Sequence, residues 1–392
     1  MITSAGKVNN HIHDDIALIV LSKLPLKSLT RFGCVRKSWS FLLENPYFKT
    51  MFRRNFLYKN HSYYNDTSLF LRYDASWIDV EVRRFSPKPR GVFSLSGERF
   101  ENKAELDWPN LFCEDRTHFK ICGYTSVNGI ICIYYNSKGR VVLWNPSTKE
   151  IKVIPSSPFA SRPSLTHLHL HGFGYDHITN NYKRIRHAVF SPKTYKTGKN
   201  ITYSLWEVYC LKSNSWRNLD VDMPTCPRDK VGGHVYMDGV CHWLSKSKTD
   251  DYQYRTYNEN YLVSFNLTTE MFITTSILTN MNDIDYRYLA VLNGSIVLIS
   301  NFAKTTIFHI SILGEVGVKE SWTKLFTMEL HDIDWHIGVG KNGDIFFIKK
   351  DDELICFNLS TQKIQPLGVK GGYYSQIITY KESLVSIERE IH

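Results

Sequence analysis

The sequence lacks the features that mark secreted, membrane-spanning and disulfide-stapled proteins. Its eight cysteines are scattered along 392 residues, and no two of them form a Cys-x-x-Cys pair. The first residues show no charged-then-apolar signal pattern, and no apolar run approaches the roughly 20 residues that cross a bilayer. These absences predict a soluble chain of the cytoplasm or nucleus, with no membrane partner, whose cysteines are buried thiols.

Motifs for catalysis and phosphate binding are missing as well. The glycines at 172–174 and 371–372 are followed by neither Lys-Ser/Thr nor a predicted helix, so they form no phosphate loop. Asp332 and Asp334 could share a strand face as a carboxylate pair, although an ordinary loop is the simpler interpretation. We therefore predict a protein that is not an enzyme and needs no cofactor.

Three alternating histidines, His167, His169 and His171, form the best candidate for a metal site. Alternation along a strand places them on one face of a sheet. Zinc would also need a fourth converging ligand, which the motif itself does not supply. We interpret the three side chains as a polar strand face that is exposed or partner-facing, and we predict no metal.

Acidic residues are scarce at the start of the chain. Residues 1–60 hold ten Lys or Arg and three Asp or Glu, so they carry +7 of the net charge of +10. Such a concentration favours an acidic partner, although a solvated basic surface is the simpler alternative. Because basic and aromatic residues interleave at 49–59, nucleic acid is a second candidate partner, but the nearly neutral charge of the remaining chain argues against it.

Helical periodicity is confined to the first 52 residues. Apolar residues recur at helical spacing from Ile16 to Leu24, and Pro25 cannot continue that helix. Two further short helices are predicted before Pro46. Their apolar residues are Leu29, Phe32, Val35, Trp39 and Leu42. Three short helices cannot bury all these faces against each other, so the rest of the chain or another protein must cover the surplus.

From residue 66 onwards the pattern is one of short strands separated by tight turns. Asn-Gly or Asp-Gly stands between apolar runs at 128–129, 238–239, 293–294 and 342–343, which is typical of type I′ hairpins. A second hairpin with a polar turn follows most of these. Two hairpins for about 50 residues predict a four-stranded propeller blade of the kelch period.

Five such units can be counted, at about 122–156, 170–220, 234–276, 288–328 and 337–368. The second unit has GFGYDHITNNYK at 172–183 in place of the Asn-Gly turn. Because a propeller must close, residues 66–110 and 374–388 are expected to supply a sixth blade. A β-sandwich is the alternative, but a fixed period is not expected of that fold.

A short stretch near the start carries a family resemblance. Residues Leu24 to Leu29 read LPLKSL, and Arg31-Phe32, Cys34-Val35 and Lys37-Ser38-Trp39 follow. This spacing is similar to the F-box, a three-helix module that docks on the Skp-type adaptor of cullin ubiquitin ligases. One position departs from the family, which usually has Leu-Pro where this chain has Ile12-His13, and that proline normally touches the adaptor.

The repeats resemble the plant F-box-associated domain. Its landmarks occur in order as NGIICI, VLWNPSTKE, GFGYD, VYCLKSNSW, DGVCHWL, GVKESWTKLF and KESLVSI. The resemblance implies an α+β multidomain protein, in which a small N-terminal three-helix F-box precedes an all-β, kelch-like β-propeller. The expected divisions are a disordered tail at 1–11, the F-box at 12–52, a connecting segment at 53–65 and the propeller at 66–390.

Plant proteins of this kind, S-locus F-box receptors among them, act as substrate receptors. The resemblance implies a non-catalytic subunit of a Skp–cullin–F-box ubiquitin ligase, which binds the adaptor, through it cullin, and a protein target. The alternative is a nucleic-acid-binding or other interaction scaffold with a non-functional F-box. The residues expected to contact the adaptor are Ile12, Asp15, Ile16, Leu24, Pro25, Leu29, Cys34, Val35 and Trp39.

Target binding is predicted for loops on one rim of the propeller, because the blade strands are committed to packing. The longest irregular insertions are 156–166, 191–200, 224–233 and 245–260, and basic residues outnumber acidic ones within them. A basic set of loops favours an acidic or phosphorylated patch on the target. The residues expected to contact the target are Arg162, Lys193, Arg228, Lys230, Lys246 and Arg255.

Overall fold

The structure is a computed structural model of the whole chain. The residues that it describes are 14–24, 26–33, 39, 41–42, 45–58, 67–74, 90–97, 100–109, 111, 119–135, 140–160, 162, 164–190, 203–221, 225–226, 234–247, 261–277, 284–302, 305–340, 343–372 and 375–387. Within this part of the chain, three α-helices precede an all-β body, and none of the three is long and apolar enough to span a bilayer.

The three helices are α1 (Asp14–Leu21), α2 (Leu26–Gly33) and α3 (Pro46–Tyr58). Asn45 caps α3, because its side-chain oxygen accepts the N–H groups of Tyr47 at 2.9 Å and Phe48 at 3.2 Å. Pro46 suits the first helical position, where no N–H is needed. Residues 53–58, which the sequence analysis assigned to the connecting segment at 53–65, continue α3 as helix. Most of the predicted third F-box helix lies outside the described residues.

The strands of the described residues form six sheets, five of four strands and one of five. In chain order the strands are β1 (Thr67–Asp74), β2 (Arg90–Ser96), β3 (Asn102–Glu105), β4 (Phe119–Ile121), β5 (Ile131–Tyr135), β6 (Arg140–Asn145), β7 (Glu150–Ile154), β8 (Leu165–Asp176), β9 (Asn181–Phe190), β10 (Tyr203–Cys210), β11 (Ser215–Leu219), β12 (Thr225–Cys226), β13 (His234–Met237), β14 (Val240–Ser247), β15 (Tyr261–Asn266), β16 (Phe272–Ser276), β17 (Ile284–Leu292), β18 (Ser295–Phe302), β19 (Ile307–Leu313), β20 (Trp322–Glu329), β21 (Ile333–Val339), β22 (Asp344–Lys349), β23 (Glu353–Asn358), β24 (Lys363–Lys370) and β25 (Gln376–Lys381).

The sheets are the blades of a six-bladed propeller, in which the five units counted in the sequence become blades 2 to 6. From the central channel outwards these are β4–β7, β8–β11, β13–β16, β17–β20 and β21–β24, and β12 pairs alongside β14. Blade 1 has the order β25-β1-β2-β3, so the last strand joins the first three. The prediction that 66–110 and 374–388 close the ring is confirmed, and the β-sandwich alternative is wrong.

The predicted tight turns have the backbone conformation that a type I′ hairpin needs. Asn128 and Gly129 have φ of 50° and 81°, and Asp238 and Gly239 have φ of 47° and 80°. Because neighbouring strands are antiparallel, these turns and those between the third and fourth strands lie on one face of the propeller, here called the hairpin face. Connections between second and third strands, and between blades, lie on the opposite loop face.

Glycines in β8 explain why the second sequence unit departs from the others. A Cβ atom on Gly172 would lie 2.6 Å from Cβ of Cys241, and one on Gly174 would overlap the ring of Tyr236. Both of those residues belong to blade 4. The GFG run therefore allows the inner strand of blade 3 to approach its neighbour closely, and it serves packing rather than phosphate binding.

Gly174→Ala should lower the free energy of unfolding by about 1–3 kcal/mol, because the added methyl group overpacks this contact. Denaturant unfolding of the full chain measures the change. The penalty should shrink when Tyr236→Ala removes the ring, and equal penalties in both backgrounds would show that this contact does not restrict position 174.

Candidate functional site

Helix α1 exposes an apolar stripe on the side facing away from the propeller. Ile16, Ile19 and Val20 are 57%, 48% and 54% exposed, whereas Ala17 and Leu21 on the opposite side are buried. The exposed residues are spaced i, i+3 and i+4, so they form one face of the helix. A contiguous apolar face that is exposed to water is typical of a protein-docking surface.

The predicted adaptor contacts divide between this surface and the core. Asp15 and Ile16 are exposed, whereas Leu24 and Trp39 are half-buried and pack against the core. Leu29 is buried there and offers no side-chain surface to a partner, contrary to expectation. The other four predicted contacts lie outside the described residues; they are Ile12, Pro25, Cys34 and Val35.

Sequence reasoning did not select Ile19 and Val20 as contacts. Both were part of the apolar periodicity of α1, but the pattern alone does not tell which side of an all-round apolar helix faces the core. Phe41 and Tyr47 are also exposed, and Phe32 makes an edge-to-face contact with Trp39 at 6.2 Å between ring centroids. Phe32, Phe41 and Tyr47 therefore add exposed aromatic surface to the N-terminal segment.

The propeller covers the other side of the helices. Phe48 and Phe52 of α3 are buried and stack at 6.3 Å, in one core cluster with Phe326 and Met328 of β20. The Arg53 guanidinium lies over the Phe326 ring at 5.6 Å. Part of the surplus apolar surface is thus buried within the chain itself. The basic and aromatic run at 49–59 had suggested that Phe52 could stack on a nucleic-acid base. Because Phe52 is buried in the core, it is not available for such stacking.

Polar contacts fix the helices to blade 5 on the hairpin face. Arg31 pairs with Glu315 at 2.7 Å, and the Asn293 amide donates to the Phe56 carbonyl at 3.3 Å. Asn293 and Glu315 belong to the two hairpin connections of that blade. Burial and then the neighbouring cation Arg53 lower the pKa of Lys49, as expected where basic side chains are drawn against a protein surface.

The predicted target-binding insertions begin and end at strands that meet the loop face, opposite the helices. Arg162 is exposed there, with its guanidinium 4.3 Å from the Phe159 ring centroid. Lys246 belongs to β14, where it pairs with Cys226, so its assignment to an irregular loop is wrong. The other predicted contacts lie outside the described residues; they are Lys193, Arg228, Lys230 and Arg255.

The histidine row of β8 runs from solvent into the core. His167 is exposed and His171 is buried, with ring centroids of successive histidines 5.8 and 6.4 Å apart. His171 packs at 4.8 Å from both Trp206 and Trp243. In the described part of the chain, no three His, Cys, Asp or Glu side chains are arranged to hold a metal ion. The interpretation as an exposed face holds for His167 but not for His171.

Asp332 and Asp334 do not form a carboxylate pair on one strand. Asp332 is an exposed turn residue with φ of 56°, and Asp334 lies within β21. Burial, and then the charge of Asp352, raise the pKa of Asp334. The loop interpretation therefore holds for Asp332.

A cavity of about 570 Å³ opens at the mouth of the central channel on the hairpin face. All six inner strands end here, and residues at or just beyond their ends line it, including Val127, His177, Asp238, Val291, Val339 and Lys381. No sequence signal connects these residues, because each comes from a different blade or turn. The cavity lies on the same face as the turns that contact the helices.

The described residues thus combine a six-bladed propeller with helices that expose an apolar stripe. Residues 92–387 match the family model described as the F-box associated beta propeller domain. The chain therefore belongs to this family of plant F-box proteins. The match covers about three quarters of the chain, including strands of all six blades.

Relatives in Arabidopsis thaliana agree with this assignment. F-box protein At1g52495 is 26% identical over 267 residues, which cover 67% of this chain and 56% of the relative. F-box/kelch-repeat protein At3g23880 is 25% identical over an alignment that covers 61% of this chain and 60% of the relative. The aligned region thus spans little more than half of these relatives. A chain of the nidogen/laminin complex aligns over 81% of this chain and 99% of its own length, with 11% identity and a TM-score of 0.43.

Proposed function

We propose that the protein is the substrate-recognition subunit of a Skp–cullin–F-box ubiquitin ligase in the cytoplasm or nucleus. Its helices dock on the Skp-type adaptor, and its propeller binds a protein target. It performs no chemistry itself, since holding the target beside a charged conjugating enzyme supplies the rate advantage. The observation that carries this proposal is the exposed stripe of Ile16, Ile19 and Val20 on a helix whose other side is anchored.

The properties of the stripe suit a protein partner. Each aliphatic side chain that a partner fully buries contributes about 1.5–3 kcal/mol. The surrounding segment is strongly basic, with +7 in the first 60 residues, which favours rapid association with an acidic partner. Anchoring of α3 to blade 5 supports a fixed geometry between the adaptor and a target held by the propeller.

Changing the stripe to serine in Ile16→Ser/Ile19→Ser/Val20→Ser should weaken adaptor binding at least about 100-fold, because three apolar contacts are lost together. Purified full-length chain and a purified Skp-type adaptor give the dissociation constant by calorimetry. The matched control is Ile151→Ser/Val153→Ser, which removes similarly exposed side chains from the outer strand of blade 2. Equal affinities of both variants for the adaptor would contradict the proposed docking surface.

A further inference from the structure

The mouth of the central channel combines an apolar throat with a polar rim. Four valines with buried side chains form the throat; they are Val127, Val235, Val291 and Val339. The rim consists of exposed polar residues; they are Asn128, His177, Asp238, Lys381 and Glu382. An apolar pocket ringed by polar groups is the usual form of a site that accepts one anchoring side chain of a partner.

The charged groups of the rim are not used to hold the propeller together. Among the described ion pairs none includes Asp238, Lys381 or Glu382. Elsewhere, charged side chains join strands or blades, as Lys183 does with Asp176 at 2.9 Å. The rim charges are therefore available to a ligand.

The rim has an acidic excess within a basic protein. It carries two carboxylates and one ammonium group, which gives −1 with His177 neutral, whereas the whole chain carries +10. Asp238 comes from a turn of blade 4, and Glu382 follows the inner strand of blade 1. Carboxylates supplied from two blades around one opening favour a ligand with a cationic group beside its apolar anchor.

We propose that the mouth binds a short peptide segment of the target, with one apolar side chain in the valine throat and a neighbouring Lys or Arg beside Asp238 and Glu382. This inference rests on the proposed function, in which the propeller binds a protein target. It places recognition on the hairpin face, whereas the sequence placed it on the basic insertions of the loop face. A peptide can fill the apolar throat and contact the acidic rim at the same time, because apolar and basic side chains can be neighbours in one peptide.

The test uses an array of seven-residue peptides with Leu, Phe or Ser at the centre and Lys, Glu or Ser on either side, probed with labelled full-length protein. We expect the strongest binding to peptides with Leu or Phe at the centre and Lys beside it. Asp238→Asn/Glu382→Gln should reduce the preference for Lys over Ser about 5-fold or more. Asn tolerates the φ of 47° at position 238, so the turn is retained.

A control that removes a single carboxylate comes from the opposite face. Asp332 is also an exposed turn residue with positive φ, and Asp332→Asn should leave the array pattern unchanged. Val385→Trp tests the throat, because Val385 borders the cavity and the larger side chain would fill part of it. Val385 belongs to no inner strand, so the change leaves those strands unaltered. This change should abolish the preference for Leu or Phe, and denaturant unfolding confirms that the variant is folded.

A pattern without an apolar preference, or one that neither mouth variant alters, would overturn the inference. So would a pattern that changes equally in Asp332→Asn. Adaptor affinity of the mouth variants is measured separately and should equal that of the parent chain. If the parent chain binds the adaptor but selects no peptides, only the inference about the mouth is refuted. If the parent chain does not bind the adaptor, the proposed function itself is refuted.

Discussion

Replacing Lys183 with methionine is expected to lower the free energy of unfolding by about 3–5 kcal/mol, because it removes the ammonium group that is paired with the buried carboxylate of Asp176. Lys183 is buried in blade 3, where its ammonium group contacts Asp176 at 2.9 Å and Glu270 at 3.0 Å. It also donates to the Leu267 carbonyl at 2.6 Å. Since Leu267 and Glu270 belong to the last turn of blade 4, the network holds two blades together.

The carboxylate of Asp176 is satisfied on every side. It accepts hydrogen bonds from the hydroxyl groups of Thr179 and Thr268, both at 2.6 Å. Burial alone would raise the pKa of Asp176, but these bonds and the one from Lys183 hold that pKa well below its ordinary value. Burial would likewise lower the pKa of Lys183, and its bonds to Asp176 and Glu270 raise it instead. Both groups are therefore charged at neutral pH.

The pH dependence follows from the direction of these shifts. Because the folded-state pKa of Asp176 is depressed, its stabilisation is complete above the ordinary pKa of 3.8 and is lost as the pH falls below it. Denaturant unfolding between pH 7 and pH 3 should show a steeper acid loss for the parent chain than for Lys183→Met. An equal loss in both chains would contradict the assigned role of the network.

Two further variants separate the network from general effects of charge. Lys349→Met removes a lysine from an ion pair with Glu353 at 3.1 Å near the surface, and it should leave the unfolding midpoint nearly unchanged. Adding Asp176→Asn to Lys183→Met should restore part of the lost stability, because a neutral amide costs less to bury than an unpaired carboxylate. Glu270 is left unchanged, because it also pairs with Arg217.

The blades could be predicted from the sequence because their signals are local. Asn-Gly and Asp-Gly turns need positive φ at adjacent residues, and Asn128 and Asp238 have it. The repeat then fixes the number of strands in a blade, and closure of the ring demands a sixth blade from the two ends of the repeat region. Each of these steps depends on neighbours in sequence or on one topological rule.

The placement of the helices could not be predicted in the same way. The sequence showed more apolar surface than three short helices can bury, but it did not show that Phe326 and Met328 of blade 5 cover Phe48 and Phe52. That contact joins residues nearly 280 positions apart. Helix α1 packs into the same cluster through Leu18 and Leu21, which leaves Ile19 and Val20 on its exposed side.

The channel mouth lies beyond sequence reasoning for a related reason. His177, Asp238 and Lys381 each look like ordinary polar residues at the end of a strand, and only the ring of six blades brings them to one cavity. Their common property is a position at the exit of an inner strand. With the strand order known, that position identifies the rim before any side chain is considered.

Deleting residues 375–392 should abolish cooperative folding of the propeller, because the deletion removes β25, the inner strand of blade 1. Ile377, Ile378 and Tyr380 of this strand are buried. The backbone of Thr379 exchanges hydrogen bonds of 2.9 Å with Tyr124 and Ser126 of blade 2, and its hydroxyl donates to Val339 of blade 6 at 3.1 Å. One strand thus links three blades, and its loss exposes the edge of β1 and the apolar faces beside it.

The residues after β25 form a second set of hydrogen bonds to blade 2, and a shorter deletion removes these bonds alone. The Asn145 amide donates to the carbonyl groups of Ser383 and Val385 at 3.0 and 2.8 Å. The Glu150 carboxylate accepts the Ser386 hydroxyl at 2.7 Å and the Ile387 N–H at 2.6 Å. Deleting 382–392 should therefore lower the unfolding midpoint while leaving a cooperative transition, since the six inner strands remain.

Tryptophan fluorescence during urea unfolding distinguishes these chains. The chain that ends at residue 387 is the control. It should have the same unfolding midpoint as the parent chain, because it keeps β25 and the hydrogen bonds of the residues that follow β25. A synthetic peptide of residues 375–387, added to the chain that ends at residue 374, should restore a cooperative transition in proportion to its concentration, as expected for a strand that binds the folded form. If the chain without β25 unfolds cooperatively at the parent's midpoint, the ring does not depend on this strand for closure, and the order of blade 1 must be different from β25-β1-β2-β3.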